Sequence, residues 1–189
     1  MKLKVGDPAP QFTTKDQDGN TVNLSDFKGK KVVLYFYPND MTPGCTAEAC
    51  SLRDNYKVLL KQGYVVLGIS TNDEKSHKKF IAKENLPFSL LADTDKSVHK
   101  KYDTWGEKSM YGRKYMGTLR VTFVIDENGI IREIIEKVDT KNHAGQILGD
   151  EAIVAKPAAK TAAPPKPVKK KSAAVVANRP ARKAVKKKK

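Results

Sequence analysis

The chain has 189 residues, 39% of them hydrophobic and 30% charged, enough for one domain with a proper core and not comfortably enough for two. Its longest unbroken apolar and aromatic run, Val32 to Tyr37, is far short of the roughly 20 residues a membrane-spanning helix needs. The opening Met-Lys-Leu-Lys-Val-Gly-Asp-Pro has no apolar stretch of signal-peptide length, so a cytoplasmic protein without membrane contact is expected. The formal charge of +15 is unevenly spread: residues 156–189 hold eleven lysines, two arginines and no acid, whereas residues 1–155 carry 23 basic and 21 acidic side chains.

Along the chain, Asp16-Gln-Asp-Gly-Asn20 reads as a turn between short strands. Lys31-Val-Val-Leu-Tyr-Phe-Tyr37 is a continuous β-prone run of the kind found in a buried central strand, closed by Pro38. Cys45 to Lys61 has helical spacing, with Leu52, Tyr56, Leu59 and Leu60 on one side, and Gly63 stops it. Tyr64-Val-Val-Leu-Gly-Ile69 is a second strand. Asp73 to Glu84 is a helix with Asp73 as its cap. Phe88 to Leu91 is a short strand, and Asp95 to Tyr102 a further helix. Leu119–Ile125 and Ile130–Ile135 form a hairpin across Asp126-Glu-Asn-Gly129. Alternating strands and helices followed by a hairpin predict a three-layer α/β domain around a mixed sheet, over residues 1–150. Residues 151–189, rich in Lys, Ala and Pro and without aromatics, bury too little apolar surface to offset ordering entropy and are expected to be disordered.

The only cysteines are Cys45 and Cys50. Zinc sites need four ligands and gaps of two to four residues, and His77, His99 and His143 are scattered, so no metal site is expected. A disulfide framework needs more cysteines, which leaves a reactive thiol pair. In Pro38-Asn-Asp-Met-Thr42-Pro43-Gly44-Cys45, Thr42 suits an N-cap and Pro43 the first helical position. Cys45 then falls in the first turn, where free amides and the helix dipole favour a thiolate, the attacking form of cysteine. A buried structural cysteine is the alternative on placement alone.

Pro38, Thr42 and Cys45 match Pro-x-x-x-Thr-x-x-Cys, and the string from Tyr35 to Cys50 resembles the active-site segment of the bacterioferritin-comigratory, or Q-type, branch of the peroxiredoxins. The resemblance extends over residues 3–148 and includes Val5-Gly-Asp-Pro-Ala-Pro10, Gly68-Ile-Ser70 and Arg120-Val-Thr-Phe-Val-Ile-Asp126. It implies a thioredoxin-like fold, no cofactor, and a chain that is often a monomer. It also implies roles: Cys45 as peroxidatic nucleophile, Cys50 as resolving thiol, Thr42 against the peroxide oxygens and Pro38 shielding the sulfur. Arg120 is implied as the cation that favours the thiolate and polarises the O–O bond, with Glu48 orienting it. Met41 stands where this branch often has a polar residue. The implied reaction reduces a hydroperoxide through a Cys45 sulfenic acid and a Cys45–Cys50 disulfide, which thioredoxin or a similar dithiol recycles.

Two other classes compete. A protein thiol–disulfide oxidoreductase usually carries Cys-x-x-Cys, and four residues separate the cysteines here. A nucleic-acid-associated protein would use the basic tail for sequence-independent DNA or RNA binding, but the domain has no recognised DNA-reading motif.

Overall fold

The computed structural model describes residues 2–149 except residue 111, so the expected disorder and nucleic-acid binding of the basic tail lie outside the described residues. The strands are β1 (Thr13–Asp16), β2 (Thr21–Asn23), β3 (Lys31–Phe36), β4 (Tyr64–Ser70), β5 (Ser89–Ala92), β6 (Trp105–Met110), β7 (Arg113–Thr118), β8 (Val121–Ile125) and β9 (Ile131–Ile135). The helices are α1 (Pro43–Asp54), α2 (Tyr56–Lys61), α3 (Glu74–Glu84), α4 (Ser97–Lys101) and α5 (His143–Leu148). Seven strands form one sheet in the order β2-β1-β5-β4-β3-β8-β9. The β3, β4 and β5 pairings are parallel, and those of β1, β2, β8 and β9 antiparallel, so the sheet is mixed as expected.

Side chains alternate across β3, which is buried on both faces. Val33 and Tyr35 pack with Leu52, Leu59, Phe80 and Ala144, under α1, α2, α3 and α5. Leu34 and Phe36 pack with Phe12, Val98, Tyr102 and Phe123 on the other face. Three layers result, with the chemistry-bearing segment at the carboxyl end of β3, where open α/β sheets place their sites. Tyr35 lies opposite Gly68 in the β3–β4 register. A Cβ on Gly68 would come 2.6 Å from Tyr35 Cζ, so only glycine lets this ring lie flat on its neighbour strand.

The two expected turns form for the expected reason. The Asp126 carboxylate accepts from the amides of Asn128 and Ile130, and Gly129 takes φ 83°. Asp16 does the same for Asp18 and Asn20, with Gly19 at φ 80°. Asp73 caps α3 by accepting from the Ser76 amide at 2.7 Å.

Other expectations need correction. The single helix over Cys45–Lys61 is two, because Asn55 turns its side chain back to donate to the Ser51 carbonyl at 3.0 Å and leaves helical geometry. The break rotates α2, so Leu60 faces solvent while Leu52 and Leu59 are fully buried. The helix expected over Asp95–Tyr102 shrinks to α4, whose start is fixed by Asp93 accepting from the amides of Val98 and His99. The strand expected to begin at Leu119 begins at Val121, leaving Arg120 on the two-residue link between β7 and β8. The separate β6–β7 ribbon and α5 were not expected.

Candidate active site

Thr42 stands at the N-cap of α1 with Pro43 at its first position, as the sequence predicts. Its hydroxyl makes no cap, however, and donates instead to the Asn39 carbonyl at 3.0 Å, tightening the loop that leads in from β3. Pro38 is half-buried in that loop. Cys45, one turn into the helix, is 1% exposed. Arg120 reaches it across the sequence: Nη2 donates to Cys45 Sγ at 3.2 Å, while Nη1 donates to Glu48 Oε2. Cys45 and Glu48, three residues apart, lie on one side of α1 and take the two arms of a single guanidinium. The side chain of Arg120 keeps 22% of its surface in solvent, whereas that of Glu48 keeps none.

Burial pushes the Glu48 carboxyl up to about 7, although the charge and hydrogen bond of Arg120 pull the other way. Its second oxygen, Oε1, has no hydrogen-bond partner and lies 3.8 Å from Nε2 of His143. His143 is itself buried: Nδ1 faces Gln146 Oε1 at 3.3 Å and Nε2 faces the Thr122 hydroxyl at 2.9 Å. Because an amide oxygen only accepts, Nδ1 carries the proton and the neutral ring accepts from Thr122. Burial pulls this imidazole down to about 4, with the nearby Arg120 adding to the effect. The Tyr35 hydroxyl is fully buried without a partner, and its phenol is pushed up by burial and then by the field of Glu48.

The loop from β3 to α1 is pinned from behind. Asp40 accepts from the Tyr37 hydroxyl at 2.7 Å and from Ser76 at 2.6 Å, and His77 Nδ1 lies 3.0 Å from Oδ2. His77 Nε2 faces the Leu91 carbonyl at 3.2 Å, and the Asp40 amide donates to Asn72. Burial acts to raise Asp40, but the hydrogen bond and charge of His77 prevail and hold its carboxyl below the ordinary value. Asp40, His77, His143 and Tyr35 were not singled out from the sequence. The signal for Asp40 was its place inside the Pro38–Cys45 motif; nothing local pointed to the other three.

The structure thus brings Cys45, Arg120 and Glu48 together and places Thr42 and Pro38 in the entry loop. It does not bring Cys50 to Cys45. Both are free thiols, and Cys50 points to the end of α3, where its thiol donates to Glu84 Oε2 at 3.8 Å. Among the described residues no group of three His, Cys, Asp or Glu side chains is arranged to hold a metal, and no helix is long and apolar enough to cross a membrane.

Residues 5–134 match the AhpC/TSA family. The chain is 49% identical over 146 residues to peroxiredoxin Bcp of Escherichia coli strain K12, covering 77% of this chain and 94% of that protein. It is 43% identical over 148 residues to peroxiredoxin Bcp of Bacillus subtilis, covering 78% and 94%. Among solved structures, a cysteine-to-serine variant of Xylella fastidiosa PrxQ superposes with a TM-score of 0.75 at 30% identity, covering 80% of this chain and 96% of that one. The Xanthomonas campestris bacterioferritin comigratory protein, studied for its alkyl peroxide reduction activity, superposes with a TM-score of 0.69 at 32% identity, covering 75% and 92%.

Proposed function

The chain belongs to the AhpC/TSA family, in its Bcp and Q-type branch of thiol peroxidases, and we propose that Cys45 is its peroxidatic nucleophile. The observation that carries this assignment is the 3.2 Å contact from Arg120 Nη2 to Cys45 Sγ, a cation donating to sulfur at the start of a helix. The Cys45 thiolate attacks one peroxide oxygen, the O–O bond breaks, water or an alcohol leaves, and a sulfenic acid remains. Arg120 lies beside the developing charge, and its pairing with Glu48 fixes the guanidinium plane. Thr42 and Pro38, in the entry loop, contribute a hydroxyl and a wall against water.

Cys50 then acts as the resolving thiol: its sulfur bonds to the Cys45 sulfur, the S–O bond breaks and water leaves. A dithiol protein of the thioredoxin type reduces the disulfide by exchange. Residues five apart on one helix are separated by about 8 to 9 Å between Cα atoms, whereas a disulfide needs roughly 4.4 to 6.8 Å. The segment between Cys45 and Cys50 therefore unwinds for each turnover. The thirteen positive charges of residues 156–189 add a non-specific attraction to nucleic acid.

Three measurements test this reading. Hydrogen peroxide turnover should require thioredoxin and be equal in the full chain and in residues 1–150. Amides of residues 44–52 should exchange faster in the oxidised protein than in the reduced one; identical protection would remove Cys50 from the resolving role. DNA binding by the full chain should weaken with a log–log salt slope of about −4 to −5, and equal affinity of the truncated chain would take the tail out of the function.

A further inference from the structure

We propose that Glu84, from the last turn of α3, is a positioning residue for the resolving thiol: it holds Cys50 in a protonated resting place and so sets how long the Cys45 sulfenic acid persists. This rests on the reading of Cys50 as the resolving cysteine. Two residues on the same side of α1 grip Glu84. The Cys50 thiol donates to its Oε2 at 3.8 Å, and Arg53 Nη1 donates to its backbone carbonyl at 2.6 Å. Glu84 is itself the last residue of α3, so α1 must let go of it for Cys50 to travel. On an ideal helix Cys50 is turned by about 140° from Cys45, so release is unavoidable.

The charged groups facing the thiol are Arg53 and Asp54 on α1 and Glu84 on α3. Arg53 favours a thiolate, but its Nε is held by Asp54 at 2.8 Å and another arm by the Glu84 carbonyl. Burial and the carboxylates of Glu84 and Asp54 prevail and push the thiol up. Resolution needs the Cys50 proton to leave to solvent. The thiolate then bonds to the Cys45 sulfur, and the hydroxyl departs as water after taking up a proton. A carboxylate facing the S–H opposes the first of these events. The longer-lived sulfenic acid is also the species that a second peroxide converts to the sulfinic acid.

The test uses the full chain and its Glu84→Gln and Glu84→Asp variants. Each is given one equivalent of hydrogen peroxide between pH 6 and 9 and quenched with an alkylating agent, and the Cys45–Cys50 disulfide is counted by peptide mass spectrometry. In Glu84→Gln, disulfide formation should be roughly three- to tenfold faster at pH 7, which corresponds to about half to one pH unit, with its midpoint moved to lower pH. Glu84→Asp, which keeps the charge, should stay within twofold of wild type, and the preceding sulfenic acid formation should be equal in all three. A Glu84→Gln rate and midpoint equal to wild type would overturn the proposal. A wild-type protein that forms no such disulfide would overturn the resolving reading itself, and this inference with it.

Discussion

The two ends of α1 present two cysteines to opposite surroundings. At the N-terminal end Cys45 is sealed from solvent, and the nearest charge is the guanidinium of Arg120. Toward the C-terminal end Cys50 is half-buried, and its thiol donates to the carboxylate of Glu84. One helix thus carries one thiol that meets a cation and another that meets a carboxylate. The comparison teaches that the surroundings of the two sulfurs differ through the partners that neighbouring elements bring: Arg120 from the link between β7 and β8 for one, and Glu84 from the end of α3 for the other. Cys45→Ser should abolish peroxide reduction, and more than a few per cent of residual activity would break the comparison. Cys50→Ser should form the sulfenic acid at the wild-type rate but yield no internal disulfide on peptide mapping.

The Cys45 end also carries a pair of buried titrating groups with no counterpart at the Cys50 end. Glu48 is raised from 4.5 to about 7, so its contribution to stability is fully present below about 4.5 and is lost as pH rises through about 7. His143 is lowered from 6.5 to about 4, so its contribution is present above about 6.5 and is lost as pH falls through about 4. Each amounts to on the order of 3 kcal/mol, and between pH 4.5 and 6.5 the two slopes oppose each other. Urea unfolding across this range should separate them. Relative to wild type, Glu48→Gln should gain stability with rising pH and His143→Gln should lose it. Parallel curves for all three proteins would show that neither group titrates as its burial demands.

How much of this was legible in the sequence follows from the range of each signal. The buried strands β3 and β4, the Asp-and-Gly turns and the Asp73 cap are written in contiguous residues, and all formed. The β6–β7 ribbon was missed because Arg113 to Met116 are all exposed, so no apolar alternation marks it. The six-residue α5 lacks a side-chain cap, and the break at Asn55 turns on one amide that competes with the helix. The site itself is long-range. Arg120 and Cys45 are 75 residues apart, and His77 and Asp40 are 37 apart. No local pattern could join these pairs, and only the family resemblance brought Arg120 and Glu48 into view.

A smaller effect sharpens the contrast between a cation and an anion at sulfur. Arg120→Ala should slow the peroxide step at least tenfold, about 1.4 kcal/mol of barrier, because the guanidinium is in place before the peroxide arrives. The fold should survive, since Arg120 lies on the link between β7 and β8 and keeps part of its side chain in solvent. Stopped-flow measurement of the first turnover reads the chemical step directly, and a rate within twofold of wild type would remove Arg120 from the site.

The smallest effect concerns how the chain enters each end of α1. The Cys50 end is reached along regular helix. The Cys45 end is reached through Met41, a non-glycine residue at φ 57°. The left-handed region costs an L-residue roughly 1 to 2 kcal/mol, and asparagine tolerates it better because its side chain hydrogen-bonds locally. Met41 is 43% exposed, so replacing it gives up little apolar burial. The strain is tolerated because the residues beside it are tied down: Asp40 is held by Tyr37, Ser76 and His77, and the Thr42 hydroxyl by the Asn39 carbonyl. Met41→Asn should therefore raise stability by about 0.5 kcal/mol, read as a higher urea midpoint at unchanged slope, with the first-turnover rate within twofold of wild type. An unchanged or lower midpoint would show that Met41 makes contacts that offset its backbone cost. The approach to Cys45 would then be no more strained than the approach to Cys50.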